Sequence, residues 1–217
     1  MVGLWLSSPR TGSLAYYCNM DNEMDKVKIV KAYLTPNKYS RPQKTGKYIF
    51  QDVRGVALHW YEKPWQSAME AKGWFESAPE RKQYGSAQYT VDDKGALQLM
   101  DENEMAYHVG AKSYMPLAYE RGLMPYPNSH LIGVEMAHPD WSGKPTPLTL
   151  RWTVALLVDI FRRYPKLNVM KDLYLHSQIT GKVSKGGFQC HRYYMEHPVA
   201  FLILKNRIEE VLHEYRI

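Results

Sequence analysis

The chain has 217 residues, 45% of them hydrophobic, which is enough for one folded domain of ordinary size and excludes a globally disordered protein. Its formal net charge of +6 is consistent with attraction to a polyanion, such as nucleic acid, anionic lipid or an acidic cell-wall polymer. The charge is spread along the chain and no nucleic-acid-binding motif accompanies it, so we expect no nucleic-acid partner.

The two cysteines, Cys18 and Cys190, are too few for a disulfide framework. No apolar run has the length needed to cross a bilayer, so we expect no membrane insertion. Residues 1–30 are expected to form an irregular N-terminal extension. Their short apolar patch has no basic segment before it and is interrupted by Arg10, which makes a poor signal peptide.

The first half of the remaining chain contains extended and helical patterns in turn. Residues 34–42 are predicted to be an extended, turn-rich segment. Residues 53–60 form a short apolar run, typical of a buried strand, near whose end lies His59. Residues 63–77 are predicted to be a helix, with Pro64 suited to its first turn.

The second half continues the alternation of strands and helices. Residues 86–100 predict a β-hairpin, and residues 130–136 predict another buried strand. A helix is predicted after Thr146, which can cap it, and a short strand over residues 172–177. A last helix begins near Pro198. Its predicted buried face consists of Phe201, Leu204, Ile208, Val211, Leu212 and Tyr215. This alternation indicates an α/β domain.

Three residues could together hold a metal ion. His59 and His176 each lie near the C-terminal end of a predicted strand, which is the edge of an α/β sheet where sites tend to form. With Cys190 they would provide three protein ligands to zinc and leave a fourth position open, as in catalytic sites. The residues alone also allow a structural interpretation, in which the histidines are hydrogen-bonded core residues and Cys190 is a small buried hydrophobe.

Two charged residues could act beside such a metal. Glu135 lies between Val134 and Met136 in an otherwise apolar strand. It either pairs with a basic group or serves as a general base whose pKa is tuned by burial. Lys182, in a glycine-containing loop, is either a solvated surface residue or a donor to an oxyanion formed during hydrolysis.

At this point several blocks of the sequence resemble one known family. From about Ala32 to the C-terminus, the chain is similar to zinc-dependent N-acetylmuramoyl-L-alanine amidases of the type 2 family, which includes amidase-type phage lysozymes and is related to peptidoglycan recognition proteins. The blocks, in order, are "YLTPNKYSRP", "GVALHW", "SAMEAKGWFES", "SAQYTVDDKG", "ENEMAYHVG", "IGVEMAHPDWSGK", "LHSQITGK" and "CHRYYMEHPVAF". The resemblance implies a single catalytic domain over residues 31–217, with a central mixed β-sheet flanked by helices.

The resemblance also implies roles for individual residues. His59 and His176 resemble the first and second ligands of one zinc ion. Glu135 in "GVEM" matches the catalytic base, and Lys182 in "TGK" matches the lysine that stabilises the transition state. His108 in "AYHVG" matches a position at the rim of the substrate groove. Trp60 and Gln88 are further candidates for substrate contact, although the family usually has histidine at the position of Gln88.

The third ligand departs from the family pattern. A cysteine or aspartate usually follows the second histidine by eight residues, and this chain has Ser184 there. The family block "CPRYF" has its counterpart six residues further on, as "CHRYY", beginning at Cys190. We therefore predict Cys190 as the third ligand. Ser184 and His191 remain the alternatives.

The resemblance implies a monomeric enzyme that acts at the bacterial cell wall. Its substrate would be peptidoglycan, cleaved at the amide between N-acetylmuramic acid and L-alanine by zinc-activated water. Two other functions stay open at this point: a peptidoglycan-binding module without catalysis, and an amidase that recycles small soluble muropeptides.

Overall fold

The computed structural model of the chain describes residues 28–42, 50, 52–184 and 186–215. The predicted N-terminal extension lies outside these ranges except for its last three residues. Two of those belong to a strand, Ile29–Lys31, so the expected boundary after residue 30 falls inside an element of the sheet. Among the residues described, no helix is both long and apolar enough to cross a membrane.

The described strands form one mixed sheet, which confirms the predicted α/β architecture. They are β1 (Ile29–Lys31), β2 (Gly55–Trp60), β3 (Tyr89–Asp92), β4 (Gly95–Gln98), β5 (Leu131–Met136) and β6 (Leu173–Leu175). The order across the sheet is β1-β4-β3-β5-β2-β6. Strands β3, β5, β2 and β6 are parallel, whereas β4 is antiparallel to β3 and completes the predicted hairpin.

The helices flank this sheet. They are α1 (Ala68–Glu76), α2 (Ala78–Arg81), α3 (Pro116–Glu120), α4 (Pro147–Arg163), α5 (Val169–Asp172), α6 (His176–Thr180), α7 (Arg192–Glu196) and α8 (Pro198–Glu214). Thr146 caps α4 as predicted, since its side chain accepts from the backbone N–H of Thr149. Pro64 lies before α1 rather than in its first turn. Ser67 begins that helix instead, because Ser67 and Glu70 form a capping box.

The two faces of the sheet have different neighbours. Side chains from β2, β5 and β6 pack on one face against α4 and α8. Leu58 of β2 and Val134 of β5 belong to this core, together with Leu157 of α4. The predicted buried face of α8 is confirmed except for Tyr215. This ring lies just beyond the helix and is 41% exposed, under the guanidinium of Arg162 at 4.1 Å from the ring centroid. The opposite face is covered by α3, α6 and the chain leading to β5.

Strand register places three chemically active residues in a row. His59 is paired with Glu135 across β2 and β5. On the other side of β2, Leu58 is paired with Leu175, so His176 comes next to His59. Strand β6 ends one residue before His176, which begins α6 rather than continuing the predicted strand. The side-chain oxygen of Gln178 accepts from the backbone N–H of Leu175 at 2.9 Å and stabilises this turn.

Candidate metal centre

Three buried side chains meet at the C-terminal edge of the parallel strands. One ligand atom from each of His59, His176 and Cys190 lies within 4.8 Å of the other two. His59 Nδ1 is 3.9 Å from Cys190 Sγ. In a tetrahedral zinc site, ordinary Zn–N and Zn–S bond lengths separate such atoms by about 3.6 Å. The cluster therefore has the composition and nearly the dimensions of a zinc site.

Hydrogen bonds determine which nitrogen of His59 faces the cluster. His108 Nε2 is 2.9 Å from the carbonyl oxygen of Leu131, which can only accept, so Nε2 carries the proton. His108 Nδ1 is then an acceptor, and it receives the N–H of His59 Nε2 at 3.0 Å. His59 Nδ1 is left with its lone pair directed towards Cys190 and Glu135. Such an outer hydrogen bond orients a metal-binding histidine.

Sequence analysis did not predict this role for His108, but the sequence contains a related signal. Gly133 interrupts the apolar residues of β5, and glycine within a strand often marks a close approach. A Cβ at this position would lie 2.7 Å from the His108 ring. Only glycine allows the imidazole to lie against the strand and reach His59.

The histidines are in the form that binds a metal. Burial lowers the pKa of both His59 and His176 well below its ordinary value, with a further contribution from neighbouring positive charge. Both rings are therefore neutral near pH 7. The two ring nitrogens of His176 are buried and have no hydrogen-bond partner among the residues that the structure describes. Because a buried polar atom without a partner is costly, this ring is suited to a metal ligand.

The residues between Lys182 and Cys190 form a small turn that explains the displaced cysteine. The backbone N–H of Ser184 donates to the carbonyl of Phe188 at 2.8 Å, and Ser184 Oγ accepts from Phe188 N–H at 3.3 Å. These contacts hold Ser184 and Phe188 close together. The carbonyl of Cys190 then accepts from Ser177 N–H at 2.6 Å, which holds the cysteine beside the start of α6.

The two alternative ligands have other surroundings. Ser184 Oγ accepts from the N–H of Phe188 within this turn. His191 is not part of the cluster of histidine, cysteine and carboxylate side chains found among the described residues. It is fully buried and its ring packs against Tyr194, with centroids 4.6 Å apart. The structure brings Cys190 to His59 and His176.

Glu135 and Lys182 lie beside the cluster. Glu135 Oε1 is 3.9 Å from His59 Nδ1. Burial raises the pKa of Glu135 to about 8, and the positive charge of Lys182 opposes this rise. Lys182 Nζ is 3.6 Å from Glu62 Oε1, a partner that the sequence did not indicate. Ser177 Oγ donates to the Lys182 carbonyl at 2.7 Å and positions the residue.

A cavity of about 620 Å³ opens next to the cluster. Its lining combines tyrosines with basic and histidine side chains: Tyr84, Tyr107, Tyr126, Lys112, Lys182, His108 and His176. The cavity can accommodate a peptide-sized group, and the carboxylates of such a group would be complementary to the two lysines.

Two predicted substrate contacts lie away from this cavity. Gln88 is fully buried, its Nε2 donates to the Glu104 carbonyl at 2.9 Å, and its Oε1 accepts from Gly133 N–H at 2.7 Å. Trp60 points to the opposite face of the sheet from His59, because side chains alternate along a strand, and it is 2% exposed. The structure therefore does not place Gln88 or Trp60 where we expected them. His108 does line the cavity, but both of its ring nitrogens form hydrogen bonds within the protein, one with His59 and one with the Leu131 carbonyl.

A sequence profile of the N-acetylmuramoyl-L-alanine amidase family matches residues 50–187. The chain belongs to this amidase family. The matched region contains His59, Glu135, His176 and Lys182. It ends at residue 187, before Cys190.

Two relatives of this chain carry the same family description. The N-acetylmuramoyl-L-alanine amidase CwlL of Bacillus licheniformis is 30% identical over 159 residues, which cover 72% of this chain and 41% of the relative. The N-acetylmuramoyl-L-alanine amidase BlyA of Bacillus subtilis is 27% identical over 186 residues, covering 83% and 47%. The chain thus spans less than half the length of these relatives.

Solved structures share the fold of this chain at low sequence identity. The solution structure of the PlyG catalytic domain has a TM-score of 0.63 at 15% identity and covers 85% of this chain and 95% of that one. The hydrolase AmiA of Staphylococcus aureus, crystallised with its ligand, has a TM-score of 0.60 at 15% identity and covers 95% and 93%. These similarities support the predicted amidase-type lysozyme architecture.

Proposed function

We propose that this amidase is a peptidoglycan hydrolase that cleaves the amide between N-acetylmuramic acid and L-alanine with one zinc ion. The observation that carries the proposal is the buried cluster of His59, His176 and Cys190, located beside Glu135 at the parallel edge of the sheet. Family membership supports the reaction. The lysine-containing cavity and the net positive charge are consistent with an anionic cell-wall substrate.

The residues present fit a catalytic zinc ion. Two neutral imidazoles and one thiolate leave a fourth position for water or substrate. Burial raises the pKa of the Cys190 thiol well above its usual value, so the thiolate depends on the positive charge of a bound ion. When bound, zinc would supply Lewis acidity that activates water and polarises an amide carbonyl.

The side chains of the protein would then carry out the proton transfers. Glu135 accepts a proton from the attacking water and donates it to the nitrogen of the leaving L-alanine, so that the C–N bond breaks with a neutral amine as product. Lys182 donates to the carbonyl oxygen as it becomes negatively charged. Glu62 pairs with Lys182 and limits the directions in which its flexible side chain can point.

The products of the reaction test this function. Incubation of the purified protein with peptidoglycan should release new N-terminal alanine amines without new reducing sugar ends. A strong chelator should abolish the release, and added zinc should restore it, because the proposed reaction depends on the ion that the three ligands hold. Release of reducing ends, or full activity after exhaustive chelation, would contradict the proposal.

The same experiment separates the two other functions. A binding module would sediment with peptidoglycan and produce no amines. A recycling enzyme would cleave soluble muropeptides much faster than intact sacculi. We expect cleavage of intact sacculi, since the cavity is open to solvent next to the cluster.

His108 provides a test of the outer hydrogen bond. His108→Phe keeps a ring of similar size against Gly133 but removes the acceptor for His59 Nε2–H. We expect zinc affinity to fall by about 10- to 100-fold, the usual effect of losing a partner of a metal-binding histidine. Competition with a chromophoric chelator measures this change. A residue that only contacts substrate would instead raise KM and leave zinc affinity unaltered.

A further inference from the structure

Two large aromatic side chains, Trp65 and Trp141, are exposed beside the metal centre. We call these two, together with the buried Trp60 and the half-buried Phe188, the aromatic rim. Trp65 is 74% exposed and Trp141 is 54% exposed. The Trp60 ring lies edge-on to Trp141 and Phe188, with centroids 6.3 and 6.4 Å away. Exposed clusters of this kind on a soluble domain usually mark a binding surface.

Backbone and side-chain contacts hold the rim in position. Trp65 has φ of 60°, an unfavourable backbone conformation for a bulky residue, and its N–H donates to the His138 carbonyl at 2.8 Å. The His138 ring stacks on Trp60 with centroids 4.7 Å apart. Arg192 donates to the Trp141 carbonyl and its guanidinium lies 3.6 Å from the centroid of Phe188. These contacts therefore fix the backbone that carries the exposed indoles of Trp65 and Trp141.

The rim and the lysine-containing cavity lie on different sides of the metal centre. Trp60 directly follows His59 in β2 and points to the other face of the sheet. Phe188 comes two residues before Cys190. The cavity lies on the face of His59, where it is lined by His108 and Lys112. A substrate bound at the metal could thus extend in two directions, into two chemically different environments.

We propose that the aromatic rim binds the glycan strand of the substrate, while the cavity takes the peptide. This inference rests on the proposed function, in which the scissile amide joins a sugar to a peptide. N-acetylated sugar rings are uncharged and present an apolar C–H face, which suits the flat surface of an indole. Asp140 and Arg192, next to Trp141, can bond the sugar hydroxyls. The peptide carries carboxylates, which are complementary to Lys112 and Lys182.

Direct binding of peptide-free glycan strands tests this assignment. The probe is purified N-acetylated glycan from which the peptides have been removed, added to the full chain and followed by calorimetry. We expect Trp65→Ala and Trp141→Ala each to weaken binding about tenfold, as for a central aromatic contact. Trp74→Ala is the matched control. Trp74 is 53% exposed, lies on α1 under Arg81, and should bind glycan as the wild type does.

A second measurement links the rim to turnover. Both rim variants should lose activity on polymeric peptidoglycan, whereas Trp74→Ala should keep the activity of the wild type. The calorimetric result does not depend on catalysis, so an inactive protein that binds glycan through the rim would refute only the proposed function. Undetectable glycan binding by the wild type, or glycan binding by both rim variants that is as strong as that of the wild type, would overturn the inference. The variants are also tested for binding to phosphatidylglycerol vesicles. If they lose vesicle binding and keep wild-type glycan binding, the rim is a lipid-binding surface and the inference is overturned.

Discussion

Cys190→Ala is expected to lose zinc, and Ser184→Ala is expected to keep it. The thiolate is one of three protein ligands, and its removal leaves two imidazoles that cannot hold the ion in a tetrahedral site. We expect affinity to fall by more than the roughly 100-fold that follows loss of an outer partner. Metal analysis of dialysed protein should give about one zinc per chain for the wild type and Ser184→Ala, and close to none for Cys190→Ala.

His191→Ala serves as the control for this prediction, since His191 adjoins Cys190 but lies outside the cluster. A near-normal zinc content is expected if the variant folds, which circular dichroism would establish. Zinc retained by Cys190→Ala and lost from Ser184→Ala would mean that the loop rearranges to the usual family spacing. Cys190 would then be a buried core thiol.

Glu135→Gln is expected to retain zinc and lose most of its hydrolytic activity. The amide has nearly the shape of the carboxylate but cannot accept a proton from water and return it to the leaving amine. Removal of a general acid–base group typically costs about 10²- to 10⁴-fold in rate. The measurements are zinc content and the rate of alanine amine release from peptidoglycan.

Glu62→Gln is the matched control for Glu135→Gln. Glu62 is a second carboxylate near Lys182, but its side chain is 41% exposed. This variant should keep most of the activity. Near-normal turnover of Glu135→Gln would exclude Glu135 as the base. An equal loss in both variants would instead indicate that the charge balance around Lys182 controls the rate.

Local patterns predicted most of the secondary structure. Short apolar runs and turn residues indicated β2, β5 and the hairpin, because burial and turn chemistry are encoded within a few residues. The cap at Thr146 was read correctly for the same reason. Pro64 was assigned to a first turn because proline is favoured there, but the capping box of Ser67 and Glu70 determined where the helix begins.

Side-chain direction was less predictable than secondary structure. Trp60 was expected to contact substrate, yet alternation along β2 turns it to the face of the sheet opposite His59. Gln88 was expected in the groove, but it bridges two backbone groups within the protein. Tyr215 matched the apolar period of α8, but it lies past the last turn and remains partly exposed.

The sequence by itself determined the family, the α/β class and the residue types available for chemistry, since these depend on local composition and on the order of its motifs. Only the tertiary structure decided which of these residues meet. Parallel register aligns His59, Glu135 and His176. An antiparallel bridge between Val183 and Gln189 positions the following residue, Cys190, beside them. Such contacts depend on strand pairing and loop geometry between distant parts of the chain, which residue spacing alone does not specify.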